Sequence, residues 1–243
     1  MTSTTKAPIF RLLWMIPASL IMLAFLPYLA GDHHTARLLL MALSSLLAAA
    51  SSVPYLRSIH AGITQPRLVT WATWSVLTGM AAFASASTGD WPAAVFAGIG
   101  TVATTTIVVV GWRRGHRGVG KLDITCASMV IAGLALWQAS DQPAVAVIVA
   151  CSVDLIGLVP TLANVWAHPG EENPSTWTLI AAGGLCAALA AWGDWTITAL
   201  AYPVYVAVST ATVAVLARRW PPRAGVSDRE VAHVHDTISW PAN

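Results

Sequence analysis

Eight apolar runs limit what this chain can fold into. They cover residues 10–30, 36–57, 68–87, 91–111, 122–139, 143–166, 176–192 and 196–217. Each is close to the roughly 20 residues that an α-helix needs to cross the hydrocarbon core of a bilayer. The breaks between them are short and carry turn residues: Gly31-Asp32, Gly62 to Pro66, Gly89-Asp90, Gly115 to Gly120, Asp141-Gln142-Pro143, Pro169-Gly170 and Gly193-Asp194. Charged residues make up 10% of the chain and hydrophobic ones 56%. A soluble domain carries about 25% charge, so this chain cannot coat a water-soluble globule. It can coat the two caps of a membrane bundle. The expected fold is an all-α integral membrane protein with eight transmembrane helices.

The basic residues orient the bundle. With eight spans, Lys6, Arg11, Arg57, Arg67, Arg113, Arg114, Arg117, Lys121, Arg218, Arg219, Arg223 and Arg229 fall on one face, and Arg37 alone on the other. Adding or dropping a span scrambles that split. The positive-inside rule then puts both termini in the cytoplasm, in an inner or plasma membrane. An uncleaved first helix is expected, because Tyr28-Leu29-Ala30 places a large residue where a signal cleavage site wants small ones. Trp14, Trp71, Trp74, Trp91, Trp112, Trp137, Trp166, Trp177, Trp192, Trp195 and Trp220 fall near helix ends, which reads as an interfacial belt of anchors. Trp71 and Trp74 also share a helix face and are candidates for lining a pocket.

The chain repeats itself. Pro54 and Pro160, Leu56 and Leu162, and Thr70-Trp71 and Thr176-Trp177 match at one offset. Gly89-Asp90-Trp91 and Gly193-Asp194-Trp195, and then Arg113-Arg114 and Arg218-Arg219, match at nearly the same one. The matches keep chain order, which compositional similarity alone does not produce. Helices 2–4 (residues 36–114) and 6–8 (141–220) are therefore expected to be two triple-helix units. Helix 5 (115–140) is the linker, residues 1–35 an extra N-terminal helix, and 221–243 a polar cytoplasmic tail holding His233 and His235. One intervening helix makes the two units parallel, related by an axis along the membrane normal.

In these stretches, Val53-Pro54-Tyr55-Leu56-Arg57 running to Thr70-Trp71 and Val159-Pro160-Thr161-Leu162-Ala163-Asn164 running to Thr176-Trp177, the chain resembles the SWEET, SemiSWEET and PQ-loop group. That group is built from two triple-helix units around a linker helix, with a proline in the first helix of each unit. The resemblance covers helices 2 to 8 and is nearest to a bacterial PQ-loop-like branch. Tyr55 and Thr161 stand where the eponymous glutamine follows the proline. The resemblance implies a small-solute transporter; its substrate does not carry over.

The candidate site residues follow. Asp154 lies eleven residues into helix 6, about 16 Å from its outer end at 1.5 Å per residue, near the bilayer midplane. A lone acid at that depth is costly and reads as a proton relay or substrate contact. A hydrogen-bonded structural role is the alternative. Pro54 and Pro160 each remove a backbone hydrogen bond, which in a transporter makes a hinge. Asn164, Trp71, Trp74 and Trp177 complete the set of possible substrate contacts. Asp90, Asp141 and Asp194 read as helix N-caps, Glu171-Glu172 as a solvated pair on the basic face, and Gly98, Gly100, Gly183 and Gly184 as close-packing residues. Cys126, Cys151 and Cys186 share no metal-ligand spacing.

No nucleophile elbow, phosphate loop or metal-protease signature is present, so no enzyme, metal or cofactor is expected. The expected partners are membrane lipid, a small polar solute and protons, with room for a homo-oligomer. No basic run with interleaved aromatics points to nucleic acid. A transporter is the leading expectation. A receptor, chaperone or complex subunit on the same scaffold is the alternative.

Overall fold

The computed structural model describes residues 7–87, 91–114, 120–139, 143–191 and 197–219, and within these it is all-helical. Eight α-helices follow one another: α1 (Ala7–Leu29), α2 (His33–His60), α3 (Leu68–Ser87), α4 (Trp91–Arg114), α5 (Lys121–Gln138), α6 (Pro143–Ala167), α7 (Pro174–Ala190) and α8 (Ile197–Arg218). The eight apolar runs match these helices to within about three residues at each end, the ordinary uncertainty of a helix boundary. Three of the helices are long and apolar enough to cross a membrane among the described residues: His33–His60, Val147–Ala167 and Ala199–Arg218. The outward faces of the bundle are apolar. Leu23, Phe83, Val102, Ile131 and Val208 are all exposed, and an apolar surface so continuous suits lipid.

Local chemistry sets the helix ends. Asp32 caps α2 by accepting the backbone N–H of Thr35 at 3.0 Å, and the Thr35 hydroxyl together with that N–H holds its carboxyl below the usual range. Asn173 caps α7 through Ser175 N (3.0 Å) and Thr176 N (3.3 Å), with Pro174 in the first turn. Gly31 and Gly62 close α1 and α2 at φ of 83° and 71°, a left-handed conformation that costs glycine little. The acids expected to cap α4, α6 and α8 (Asp90, Asp141 and Asp194) lie outside the described residues.

Six helices close into a ring. Going round it, α2 packs on α4, α4 on α3, α3 on α6, α6 on α8, α8 on α7, and α7 back on α2. Consecutive helices joined by 61–67 and by 168–173 do not pack on each other among the described residues; each of these connections crosses the ring. Outside the ring, α1 lies against α2 and α7, and α5 against α6 and α3. One end of the ring carries Arg57, Arg67, Arg113 and Arg218 and is called the basic end below.

Helices in lipid gain little from burying apolar surface against each other, so close contact of small residues must hold them. The neighbours Gly183 and Gly184 do this on two sides of α7. A Cβ at Gly183 would lie 3.0 Å from the Ser44 carbonyl oxygen of α2, and one at Gly184 2.7 Å from the Ala207 backbone nitrogen of α8. Gly100 makes only ordinary contact with Thr78, and Gly98 has nothing within 4 Å, so the packing role expected of Gly98 is not met. Gly184→Ala is expected to push α7 from α8 and cost roughly 1–3 kcal/mol, read as a lower midpoint of thermal unfolding in detergent. Gly98→Ala serves as the matched control and is expected to leave the midpoint in place.

Candidate functional site: a cavity on the axis of the ring

The ring encloses a cavity of about 320 Å³ to which all six of its helices contribute. Small residues from α2, α4 and α7 form much of the wall, and Trp71, Trp74, Tyr202 and Asp154 are its aromatic and charged residues. Asp154 is 2% exposed. One of its carboxylate oxygens, Oδ2, accepts the Tyr205 hydroxyl at 2.7 Å. Trp74 interacts with the same carboxylate, but its buried indole N–H finds no partner of full hydrogen-bond geometry.

Below the cavity, towards the basic end, lies an aromatic layer. Trp71 and Trp177 are 2% and 0% exposed, and Tyr55 is fully buried between them. Trp71, Trp74 and Trp177 are mutually in ring contact, with centroids 5.2 to 5.9 Å apart. The interfacial belt read from the sequence therefore does not extend to Trp71 and Trp177. Trp112 and Trp166 are exposed, and Arg219 sits over the Trp166 ring at 5.0 Å. Trp71 and Trp177 instead point into the ring, because each lies in the first turn or so of its helix on the face that meets the other's ring.

A buried acid underlies this layer. Glu172, expected to be solvated, is 3% exposed. The Trp177 indole N–H donates to Oε2 at 2.9 Å and the Tyr55 hydroxyl to Oε1 at 3.4 Å, while the Trp71 indole N–H donates to the Tyr55 oxygen at 3.0 Å. Burial pushes the Glu172 carboxyl up to about 7, against the opposing pull of its two hydrogen bonds and of Arg67. The reason for the correction is local. Pro169 and Pro174 bracket a short turn that folds Glu172 back under α7, where two polar ring groups need an acceptor.

Further bonds tie the two sides of the ring together at the basic end. Arg67 donates to Asn164 Oδ1 at 2.5 Å, and Asn164 donates to Glu171 Oε2 at 3.3 Å. Asn173 donates to the Pro54 carbonyl at 3.2 Å. The Thr70 hydroxyl, fully buried, donates to the Gly157 carbonyl at 2.6 Å and lies 2.8 Å from the Thr161 hydroxyl. The cavity is thus sealed at its basic end by aromatic rings and a polar lattice.

No family model, curated protein or solved structure matches this chain. Its function has to be argued from the site.

The expected site residues separate accordingly. Asp154, Trp71 and Trp74 meet at the cavity. Trp177 belongs to the layer beneath it, and Asn164, expected at the cavity, is held in the seal by Arg67 and Glu171. Pro54 and Pro160 lie inside α2 and α6, beside the seal rather than on the cavity wall. Sequence reasoning missed Glu172, Tyr55 and Tyr205. Tyr205 had a usable signal, since its depth in α8 and that of Asp154 in α6 differ by only a few ångströms, about 12 and 16 Å from the same end.

Proposed function

We propose that this protein is a membrane transporter of a small solute, with SWEET- and PQ-loop-like architecture. The observation that carries the reading is the axial cavity, holding one buried carboxylate and sealed at one end. A bundle serving only as a scaffold has no need to keep a costly acid beside open space. All eight helices cross the membrane in this reading, with the basic end and both termini in the cytoplasm.

The neighbour pattern supports a parallel repeat. In each unit the first helix packs on the third and the third on the second, and each unit's first helix meets the other's second: α2 with α7, α6 with α3. The outer helices follow the same rule, since α1 stands to α2 and α7 as α5 stands to α6 and α3. On that ground the repeat is better taken as four helices, α1–α4 and α5–α8, than as a triple-helix unit with one extra and one linker helix. Rocking of one unit against the other would open the seal and close the far end. Pro54 and Pro160 would give way as the seal opens, because the backbone beside each lacks one helical hydrogen bond. Asp154 would hold the solute or a coupling proton.

A reversible cross-link tests this. The Thr70 and Thr161 hydroxyls are 2.8 Å apart across the seal, so Thr70→Cys with Thr161→Cys places two thiols within disulfide reach. In proteoliposomes offered a panel of sugars, amino acids and amines, oxidation is expected to bring protein-dependent uptake to background, and a reductant to restore it. If no panel member enters in a protein-dependent way before oxidation, or if uptake is unchanged by a formed disulfide, the transport reading fails.

A further inference from the structure

The cavity wall argues for one class of occupant. Ser51, Thr78, Thr104 and Thr210 face the cavity, but each hydroxyl donates to a carbonyl of its own helix, at 2.6, 2.7, 2.9 and 2.6 Å. Their hydrogens are spent; the donors left on the wall are the hydroxyls of Ser44, Ser52 and Tyr202 and the indole N–H of Trp74, and none of them is charged. No Lys, Arg, His, Asn or Gln lines the space. A polyhydroxyl solute can pair with these donors, but it brings no counter-charge to the buried Asp154 carboxylate. An anion needs a positive partner and would meet the Asp154 carboxylate instead.

What the wall does offer suits a positive charge. Asp154 supplies the counter-charge, with Oδ2 steadied by Tyr205. Trp71 and Trp74 stand 5.2 Å apart with their planes at 77°, forming two walls of an aromatic corner beside it. Indole faces attract cations, the more so when water is excluded. The remaining wall is mostly apolar carbon and neutral hydroxyls, and the volume of about 320 Å³ lies at the small end of the range for ligand pockets.

We infer that the cavity binds small organic cations, a single ammonium group on an apolar or aromatic body, with Asp154 as counter-ion and Trp71 and Trp74 as the aromatic corner. The inference rests on the reading of this cavity as the solute site. Because one carboxylate balances one positive charge, a proton and the cation compete for the same place, and exchange of one for the other keeps the site neutral.

Equilibrium binding to the full chain in lipid nanodiscs tests it, with phenethylammonium, its neutral isostere 2-phenylethanol, and phenylacetate as probes. The ammonium is expected to bind at least about tenfold more tightly than the alcohol, the equivalent of one charge-assisted contact, and the acid more weakly than either. In Asp154→Asn the ammonium and the alcohol are expected to bind alike, and Trp74→Leu is expected to narrow the ratio. Should the Asp154 variant not fold, the wild-type ratio and Trp74→Leu decide the matter. Equal binding of ammonium and alcohol by the wild type, or no binding of the ammonium, overturns the inference. Uptake of a neutral solute without ammonium preference overturns it while leaving transport standing. Ammonium binding without protein-dependent uptake supports the inference and removes transport.

Discussion

Asp154→Asn is expected to lower protein-dependent solute uptake by about ten- to a hundredfold, with the protein still folded and inserted. The reasoning is one of chemistry at constant shape. Asparagine fills the same volume and its carbonyl can still accept the Tyr205 hydroxyl, now 2.7 Å from the carboxylate. What is lost is the charge facing the cavity. A charge-assisted contact contributes about 1.5–3 kcal/mol, and about 1.4 kcal/mol is a tenfold change in rate. If Asp154 only ties α6 to α8, asparagine replaces it almost fully and uptake stays near the wild-type rate. Uptake by the variant in proteoliposomes, beside its elution profile in detergent, separates the two.

The second large effect is expected at Glu172. Its carboxyl, ordinarily near 4.5, is pushed up to about 7 by burial. The folded protein therefore holds this proton more tightly than the unfolded chain between those values. Stability from this group is fully present below about 4.5, falls as pH rises and is gone above about 7, a loss on the order of 3 kcal/mol. Wild-type protein is expected to unfold at a lower temperature at pH 8 than at pH 5. Glu172→Gln keeps an acceptor for the Trp177 indole N–H and cannot ionise, so its midpoint is expected to change less across that window than the wild type's. Arg67 and Glu171 face Glu172 in the seal and oppose each other's influence on it. A midpoint as pH-dependent in Glu172→Gln as in the wild type would move the titrating group elsewhere.

Helix positions were legible because long apolar runs bounded by turn residues fit a helix better than a strand, and the structure has a helix at each of the eight. Asp154 was legible for a related reason, since a lone acid deep in an apolar helix stands out by composition alone. Trp71 and Trp177 were harder, because a tryptophan near a helix end is equally at home at the headgroups or under the ring. Which one wins depends on the helix's rotation, and apolar faces all round leave that unmarked. Glu172 was misread because a loop acid on a basic face normally meets water. Its burial follows from Trp177, Tyr55 and the turn between Pro169 and Pro174, and none of these announces itself locally. Asn164 was counted among the possible substrate contacts, yet Arg67 and Glu171 hold it in the seal.

The most direct test of alternating access is a side-specific labelling of the cavity wall. Ser52→Cys lines the cavity and is placed in a chain whose Cys126, Cys151 and Cys186 are replaced by alanine. A membrane-impermeant thiol reagent is then applied to sealed vesicles from one side or the other. The account predicts labelling from the side opposite the basic end at rest. It predicts labelling from the basic side only when the seal is loosened, as in Glu172→Lys. No labelling from either side in either form, or equal labelling from both sides at rest, would contradict it.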